Sequence, residues 1–186
     1  MTTSTHEKEA RSKMEKALEA FQHEIHTIRT GRASVGLLDT VEVEVYGTKM
    51  KVNQVATITT PEPRLIVVTP WDKNQLRAIE KAIIASPLEL TPSNDGQVIR
   101  VPLPPLTEER RKDLVKLVGK LAEEARVSVR NSRRQIIDAI KKAQKEGEIP
   151  EDDAHREVAR IQELTDEYIG KIDEALKHKE EEIMEV

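Results

Sequence analysis

Four arginines, Arg126, Arg130, Arg133 and Arg134, fall within nine residues of one another. Each guanidinium is a planar, permanently charged fork that matches phosphate oxygens and stacks on flat rings, which an ammonium does less well. The chain as a whole is acidic, with a formal net charge of −4. It therefore has no bulk attraction for a polyanion, and a concentrated basic cluster points to a placed contact. The bland alternative is a solvated helix face whose cations pair with carboxylates elsewhere in the chain. Both readings stand at this point.

Other reactive constellations are sparse. His23 and His26 lie three residues apart and could share a metal ion, but no third ligand lies near them in the sequence. There is no Gly-x-x-x-x-Gly-Lys phosphate loop, and with no cysteine there is neither thiol chemistry nor a Cys-based metal motif. The many carboxylates have no distinctive spacing. Trp71, the only tryptophan, is expected to pack in the α/β unit, with a contact role as the lesser alternative. The expectation is a binding protein, not an enzyme, with no cofactor and no metal.

The elements that must position the arginines follow from composition and periodicity. Of the 186 residues, 34% are charged and only 2% aromatic, a balance that favours long amphipathic helices over a large globular core. The lack of cysteine makes a reducing cytosol the natural home, and the polar N-terminus shows no secretory signal. No apolar run approaches the ~18 residues that a membrane span requires.

From about Ser4 to Thr30, Met14, Leu18, Phe21, Ile25 and Ile28 alternate spacings of four and three, the seam of a coiled-coil-like helix. Ser4 with Glu7 fits a capping box, and Gly31 is placed to stop the helix. Between Gly31 and Pro105 the pattern changes. Val41, Val43 and Val45 alternate with Glu42 and Glu44 as a half-buried strand, Val52 to Ile58 reads as a less regular one, and Leu65 to Val68 as a buried one. Asp72 can cap a helix running to about Ala85, and Asn94-Asp95-Gly96 turns the chain into Val98 to Val101.

Two long helices come last, Thr107 to about Glu146 and Glu151 to the end, separated by Gly147 and Pro150. The first is expected to bury Leu114, Leu117, Leu121, Ala125, Val129, Ile136 and Ile140. Charge divides between them. Residues 107–147 hold twelve Lys/Arg against seven Asp/Glu, while residues 151–186 hold five against thirteen. At 3.6 residues per turn Lys112, Lys116, Arg126, Arg130, Arg133, Arg134 and Lys141 share a face opposite the apolar stripe.

Neither long helix is stable alone with its stripe exposed, so the three helices are expected to pack together. The fold class is α+β: an elongated three-helix bundle from residues 1–30 and 106–186, with a small α/β domain, residues 31–105, inserted at one end. Both crossings lie at that end, which predicts an L-shaped molecule with a hinge. Gly31 and Gly36 soften one crossing, Pro102, Pro104 and Pro105 stiffen the other, and Thr30, Gly31 and these prolines are the candidate hinge residues.

An ordered set of motifs runs through this frame. Arg29-Thr30-Gly31-Arg32-Ala33 follows the first helix; Tyr46-Gly47-Thr48, Asn53-Gln54-Val55-Ala56, Pro70-Trp71-Asp72 and Ile79-Glu80-Lys81-Ala82-Ile83 come next. Asp95-Gly96, Ile99-Arg100-Val101 and Leu103-Pro104-Pro105-Leu106-Thr107-Glu108-Glu109-Arg110-Arg111 lead to Val129-Arg130-Asn131-Ser132-Arg133-Arg134 and the closing Lys179-Glu180-Glu181-Glu182-Ile183-Met184. Single motifs are weak, but the ordered set closely resembles the bacterial ribosome recycling factors over essentially the whole chain. Two positions depart from the family pattern: Lys51 stands where proline is frequent, and Ser86-Pro87-Leu88-Glu89 replaces a more usual Ser-Asp-Leu-Gly.

The resemblance implies a translation factor that binds the 70S post-termination ribosome. With elongation factor G and GTP hydrolysis by that factor, it would split the ribosome into subunits for a new round of translation. It implies that the bundle lies on large-subunit rRNA through Arg130, Arg133 and Arg134, with Arg29, Gly31, Arg32 and Arg110 as secondary candidates; Arg126 joins the candidate contacts from the basic stripe. It also implies that elongation factor G acts on the α/β domain. A cytoplasmic monomer with no membrane partner is expected. The rival reading is a protein-binding adaptor that grips a client through the acidic last helix, insensitive to Arg130 and Arg133.

Overall fold

Apolar residues three and four apart give three long helices, and an alternating middle block gives a sheet. The computed structural model describes residues 4–185. The described chain divides into two compact units, one made of residues 4–29 with Glu108–Glu185, the other of Thr30–Thr107.

The first unit is a bundle of α1 (Thr5–His26), α3 (Glu108–Lys145) and α4 (Glu151–Met184). The Ser4 hydroxyl opens α1 by accepting the Glu7 N–H at 3.1 Å, so one orphan donor of the first turn is satisfied. The helix ends at His26, four residues short of the expected Thr30. Thr27 turns its hydroxyl back to the Glu24 carbonyl at 2.7 Å, and a β-branched residue with that local bond favours termination. Gly31, at φ 78°, bends the chain later instead of capping the helix.

Between the long helices the turn is a Schellman motif. Gly147, at φ 77°, donates to the Gln144 carbonyl at 3.1 Å, and Glu148 donates to Ala143 at 2.9 Å. Pro150 then sits as the N-cap of α4, where its missing N–H costs nothing. The bundle core takes Met14, Leu18 and Phe21 from α1, Val118, Val129, Ile136 and Ile140 from α3, and Ile161, Leu164, Tyr168 and Ile172 from α4.

The buried stripe of α3 departs from expectation. Leu117 is exposed and Leu121 half-buried, while Val118 and Ala122 face inward. Two packed neighbours draw in a broader band than one seam needs, and small residues at Ala122 and Ala125 let the backbones approach. In α4, Val158 and Ala175 are half-buried, and Lys179 is buried with its ammonium 3.5 Å from Glu182.

The second unit is wholly antiparallel. A two-stranded hairpin joins β1 (Glu42–Val45) to β2 (Thr48–Lys51), and a four-stranded sheet runs in the order β3 (Ala56–Glu62), β4 (Leu65–Pro70), β6 (Ile99–Pro102), β5 (Ser93–Asn94). The alternation at Val41, Val43 and Val45 does bury those valines. The second strand, however, is β2 and not Val52 to Ile58: Val52–Gln54 is a 3₁₀ turn, with β3 beginning at Ala56. Asp72 accepts the Asn74 N–H at 3.0 Å and caps the 3₁₀ turn Lys73–Gln75, which leads into α2 (Leu76–Ala85). Ile79 and Ile83 of α2 pack with Ile66, Val68, Ile99 and Val101 in an aliphatic core. Trp71 is outside that core, 66% exposed, contrary to the expected packing role.

Candidate nucleic-acid interface

Helix α3 presents the basic residues, and its arginines divide into a flank and an outer face. Val129, Ser132 and Ile136 point into the bundle, and Arg126 and Arg133 flank them toward α4. The Arg126 Nε donates to Asp173 Oδ1 at 2.8 Å, and its Nη1 donates to Glu123 Oε2 at 2.9 Å. Arg133 reaches α4 more loosely, with Nη1 3.4 Å from Gln162 Oε1. Arg130 and Arg134 lie farther round. Arg130 donates to Glu123 Oε1 at 3.0 Å, and Arg134 is exposed and engages no carboxylate among the described residues.

The electrostatics follow from these pairs. Glu123 is held below the ordinary carboxylate range by the hydrogen bond from Arg126 and then by that from Arg130. Burial works against the Arg126 charge, but its bonds to Asp173 and Glu123 outweigh it and its pKa goes up. Arg126 thus behaves as the ion-pair alternative had it, a cation spent on the acidic neighbour helix. Arg130, Arg133 and Arg134 retain donors for an outside acceptor, because one guanidinium carries five N–H groups and none of these three is saturated.

The face is wider than the arginines. Lys116 and Lys141 are exposed on it, as is Lys112, which pairs with Glu108 at 2.9 Å. Val127 is 44% exposed one turn before Arg130, and Asn131 is exposed beside it. Neither stands out in the sequence as a contact, although an apolar residue out of phase with the buried stripe is the signal that marks Val127. Together these residues offer donors for phosphate oxygens and guanidinium planes for stacking, beside the exposed Val127.

The remaining candidates lie elsewhere. Arg29 is exposed at the end of the bundle segment, and Arg110 is exposed in the first turn of α3. Arg32 is exposed in the sheet-containing unit. Within that unit the two connecting segments run side by side: a Cβ on Gly31 would stand 3.2 Å from the Leu106 Cγ. Pro102 closes β6 opposite Leu65, the Leu103 N–H donates to the Arg64 carbonyl at 2.8 Å, and Pro104 and Pro105 are exposed. His23 and His26 are both exposed, and no group of three metal-binding side chains occurs among the described residues. No helix of the described residues is long and apolar enough to cross a membrane.

Some acids of α4 are engaged, within the helix or across the bundle. Asp173 holds Arg126, Glu163 holds Arg160 at 2.9 Å, Glu167 holds Lys171 at 3.1 Å, and Glu157 meets His6 at 2.8 Å.

Comparison with known proteins agrees with the motif reading. The family model described as ribosome recycling factor matches residues 21–184. The ribosome-recycling factor of Rubrobacter xylanophilus is 56% identical over 178 residues, covering 96% of each chain. That of Bacillus subtilis is 52% identical over the same length and coverage. Among solved structures, the solution structure of a ribosome recycling factor superposes with a TM-score of 0.71 at 46% identity, covering 100% of both chains. A second neighbour, at TM-score 0.62 and 49% identity over 100% of both chains, belongs to models of the T. thermophilus ribosome recycling factor and E. coli elongation factor G bound to the E. coli post-termination complex.

Proposed function

Because this chain belongs to the ribosome recycling factor family, we propose that its bundle docks on the ribosome through α3 while elongation factor G works on the sheet-containing unit. The chain is a translation factor that disassembles the post-termination ribosomal complex together with elongation factor G. Its part is mechanical, not catalytic. GTP hydrolysis belongs to the elongation factor.

The observation that carries the docking reading is the outward face of α3. Arg130, Arg133 and Arg134 keep donors available there, around the exposed Val127. The partner is large-subunit rRNA, since guanidinium forks fit phosphate oxygens and an acidic chain needs a local basic face to approach them. Arg29 and Arg110 extend the contact along the bundle, Arg32 adds one from the other unit, and Arg126 chiefly braces α3 against α4. Thr30, Gly31, Pro102, Pro104 and Pro105 form the joint between the two units, across which the elongation factor's motion is transmitted. The working form is a cytoplasmic monomer.

The test is a splitting assay. Purified protein is mixed with post-termination ribosomes, elongation factor G and GTP, and subunit separation is followed by light scattering. Separation that requires both factors supports the reading. Failure of the protein to bind ribosomes at all would overturn it.

A further inference from the structure

We propose that Tyr46 and Trp71 form a pre-organised aromatic anchor for a protein partner, held in place by Asp72 and Thr57. The proposal rests on the recycling reading only for the identity of that partner, elongation factor G; its protein nature follows from the surface itself.

Exposure is the first observation. Tyr46 is 74% exposed and Trp71 66%, the two highest values among the exposed large hydrophobic residues. The other aromatic residues of the chain, Phe21 and Tyr168, are buried in the bundle, and the core of the sheet-containing unit is aliphatic. Burying an aromatic ring is among the largest hydrophobic gains open to a small domain, so leaving both outside calls for a use.

Both rings are tethered at their polar ends. The Tyr46 hydroxyl donates to the Asp72 carboxylate, whose other oxygen accepts the Asn74 N–H at 3.0 Å. The Trp71 indole N–H donates to the Thr57 hydroxyl at 2.9 Å. With their polar tips satisfied inside the unit, what the two side chains offer outward is ring surface. Rings already fixed in one posture lose little freedom on binding.

Tyr46 is also held at a backbone position that disfavours it. The two-residue loop between Val45 and Thr48 has Tyr46 at φ 52° and Gly47 at φ 75°, the geometry of a hairpin turn that prefers asparagine or glycine first. A bulky ring there is strained, and the chain retains it.

Charge decides between protein and nucleic acid. Residues 30–107 carry eight Lys/Arg and eight Asp/Glu, which cancel. On the hairpin that bears Tyr46, Glu42 stands opposite Lys51 and Glu44 opposite Lys49. Stacking platforms for single-stranded nucleic acid sit in a cationic groove that tracks the backbone, whereas both lysines of this hairpin face a glutamate across the strands. A neutral surface with rigid Tyr and Trp anchors is the composition of a protein hot spot. The fitting occupant is a protein surface with an uncharged, apolar recess.

The experiment uses the full chain with Trp71→Ala, Trp71→Phe, Tyr46→Asn and Asp72→Asn, each checked by thermal unfolding. Asparagine at 46 removes the ring while tolerating the left-handed backbone. Two quantities are read: the elongation factor G concentration giving half-maximal ribosome splitting, and ribosome affinity without that factor. Trp71→Ala and Tyr46→Asn should raise the half-maximal concentration by about tenfold, the scale of losing an aromatic anchor. Ribosome affinity should stay within about twofold, and Trp71→Phe should recover much of the loss. Asp72→Asn should give a smaller defect together with a fall of the Tyr46 phenol pKa toward its ordinary value, because that carboxylate is what raises it. An unchanged factor requirement in folded variants sinks the proposal, and so does a drop in factor-free ribosome affinity, which would put RNA or ribosomal protein on the rings. A wild-type chain that fails to split ribosomes would instead sink the recycling reading itself.

Discussion

Arg126 differs from Arg133 and Arg134 in what its guanidinium already holds. Its bonds to Asp173 and Glu123 tie α3 to α4, whereas Arg133 has one long bond to Gln162 and Arg134 has no acid partner among the described residues. Replacing Arg133 or Arg134 with alanine should therefore weaken binding to the large subunit by about 1–3 kcal/mol each and flatten the salt dependence by roughly one unit of slope. Unchanged affinity at physiological salt, in a folded variant, removes that residue from the interface. Arg126→Ala should show the opposite profile, a lower unfolding midpoint with a smaller effect on binding. A second residue-scale prediction concerns Glu89. Glu89 sits at φ 54°, a conformation that burdens a residue with a Cβ. Glu89→Gly should stabilise the sheet-containing unit by about 0.5–1 kcal/mol in denaturant unfolding. Any loss of stability would show that Glu89 makes a compensating interaction.

At the scale of elements, stability rests on side chains that the helices bury and on turns that fix the strands. Ile140 of α3 is fully buried, so Ile140→Ala should cost about 2–5 kcal/mol, measurable as a lowered denaturation midpoint. The turn before β6 is governed by Asp95, which accepts the Val98 and Gln97 N–H groups, both at 2.9 Å, and the Arg100 guanidinium at 2.8 Å. Those bonds, the Val98 one foremost, hold its pKa well below the usual carboxylate range. A depressed folded-state pKa contributes stability above the unfolded value of about 4 and loses it as pH falls below that value. Asp95→Asn should accordingly remove part of the acid-induced loss of stability, and an identical pH profile would argue against the turn's role. The long helices and their boundaries near Gly147 and Pro150 were legible because a 3.6-residue period and a cap are local signals. Strand β2 was not, since Thr48–Lys51 offers a single inward residue, the half-buried Met50, too little for an alternating pattern. The α3 stripe was read one residue out of phase at Leu117 because the number of packed neighbours is not written in the helix itself. For the site, the arginine cluster was visible as composition, while the Arg126–Asp173 pair depends on the register of α3 against α4, which no local pattern encodes. Nothing local to Trp71 marks it as exposed; its indole N–H finds its partner in Thr57, fourteen residues away.

At the scale of the whole molecule, the two units differ in charge as well as in architecture. The sheet-containing unit is neutral, while the bundle concentrates basic residues on α3 and acidic ones on α4. Such a division suits a protein that grips with one unit and is acted upon through the other. Each unit buries its own core, the bundle around Met14, Ile140 and Tyr168, the other around Ile66, Ile79 and Ile99. The chain also enters and leaves the smaller unit through adjacent segments, with Gly31 against Leu106. Residues 31–105 can therefore be replaced by a short Gly/Ser linker without pulling the bundle ends apart. The excised chain should fold as three helices and bind the large subunit within severalfold of the intact protein. It should not split post-termination ribosomes at any concentration of elongation factor G, because the surface on which that factor is proposed to act has gone. If the helical remnant folds but no longer binds, the arginine face of α3 is insufficient for docking, and Arg32 or another residue of the smaller unit supplies an essential contact. If it binds and still splits ribosomes, transmission through the smaller unit is wrong, and the work must be done at the bundle alone.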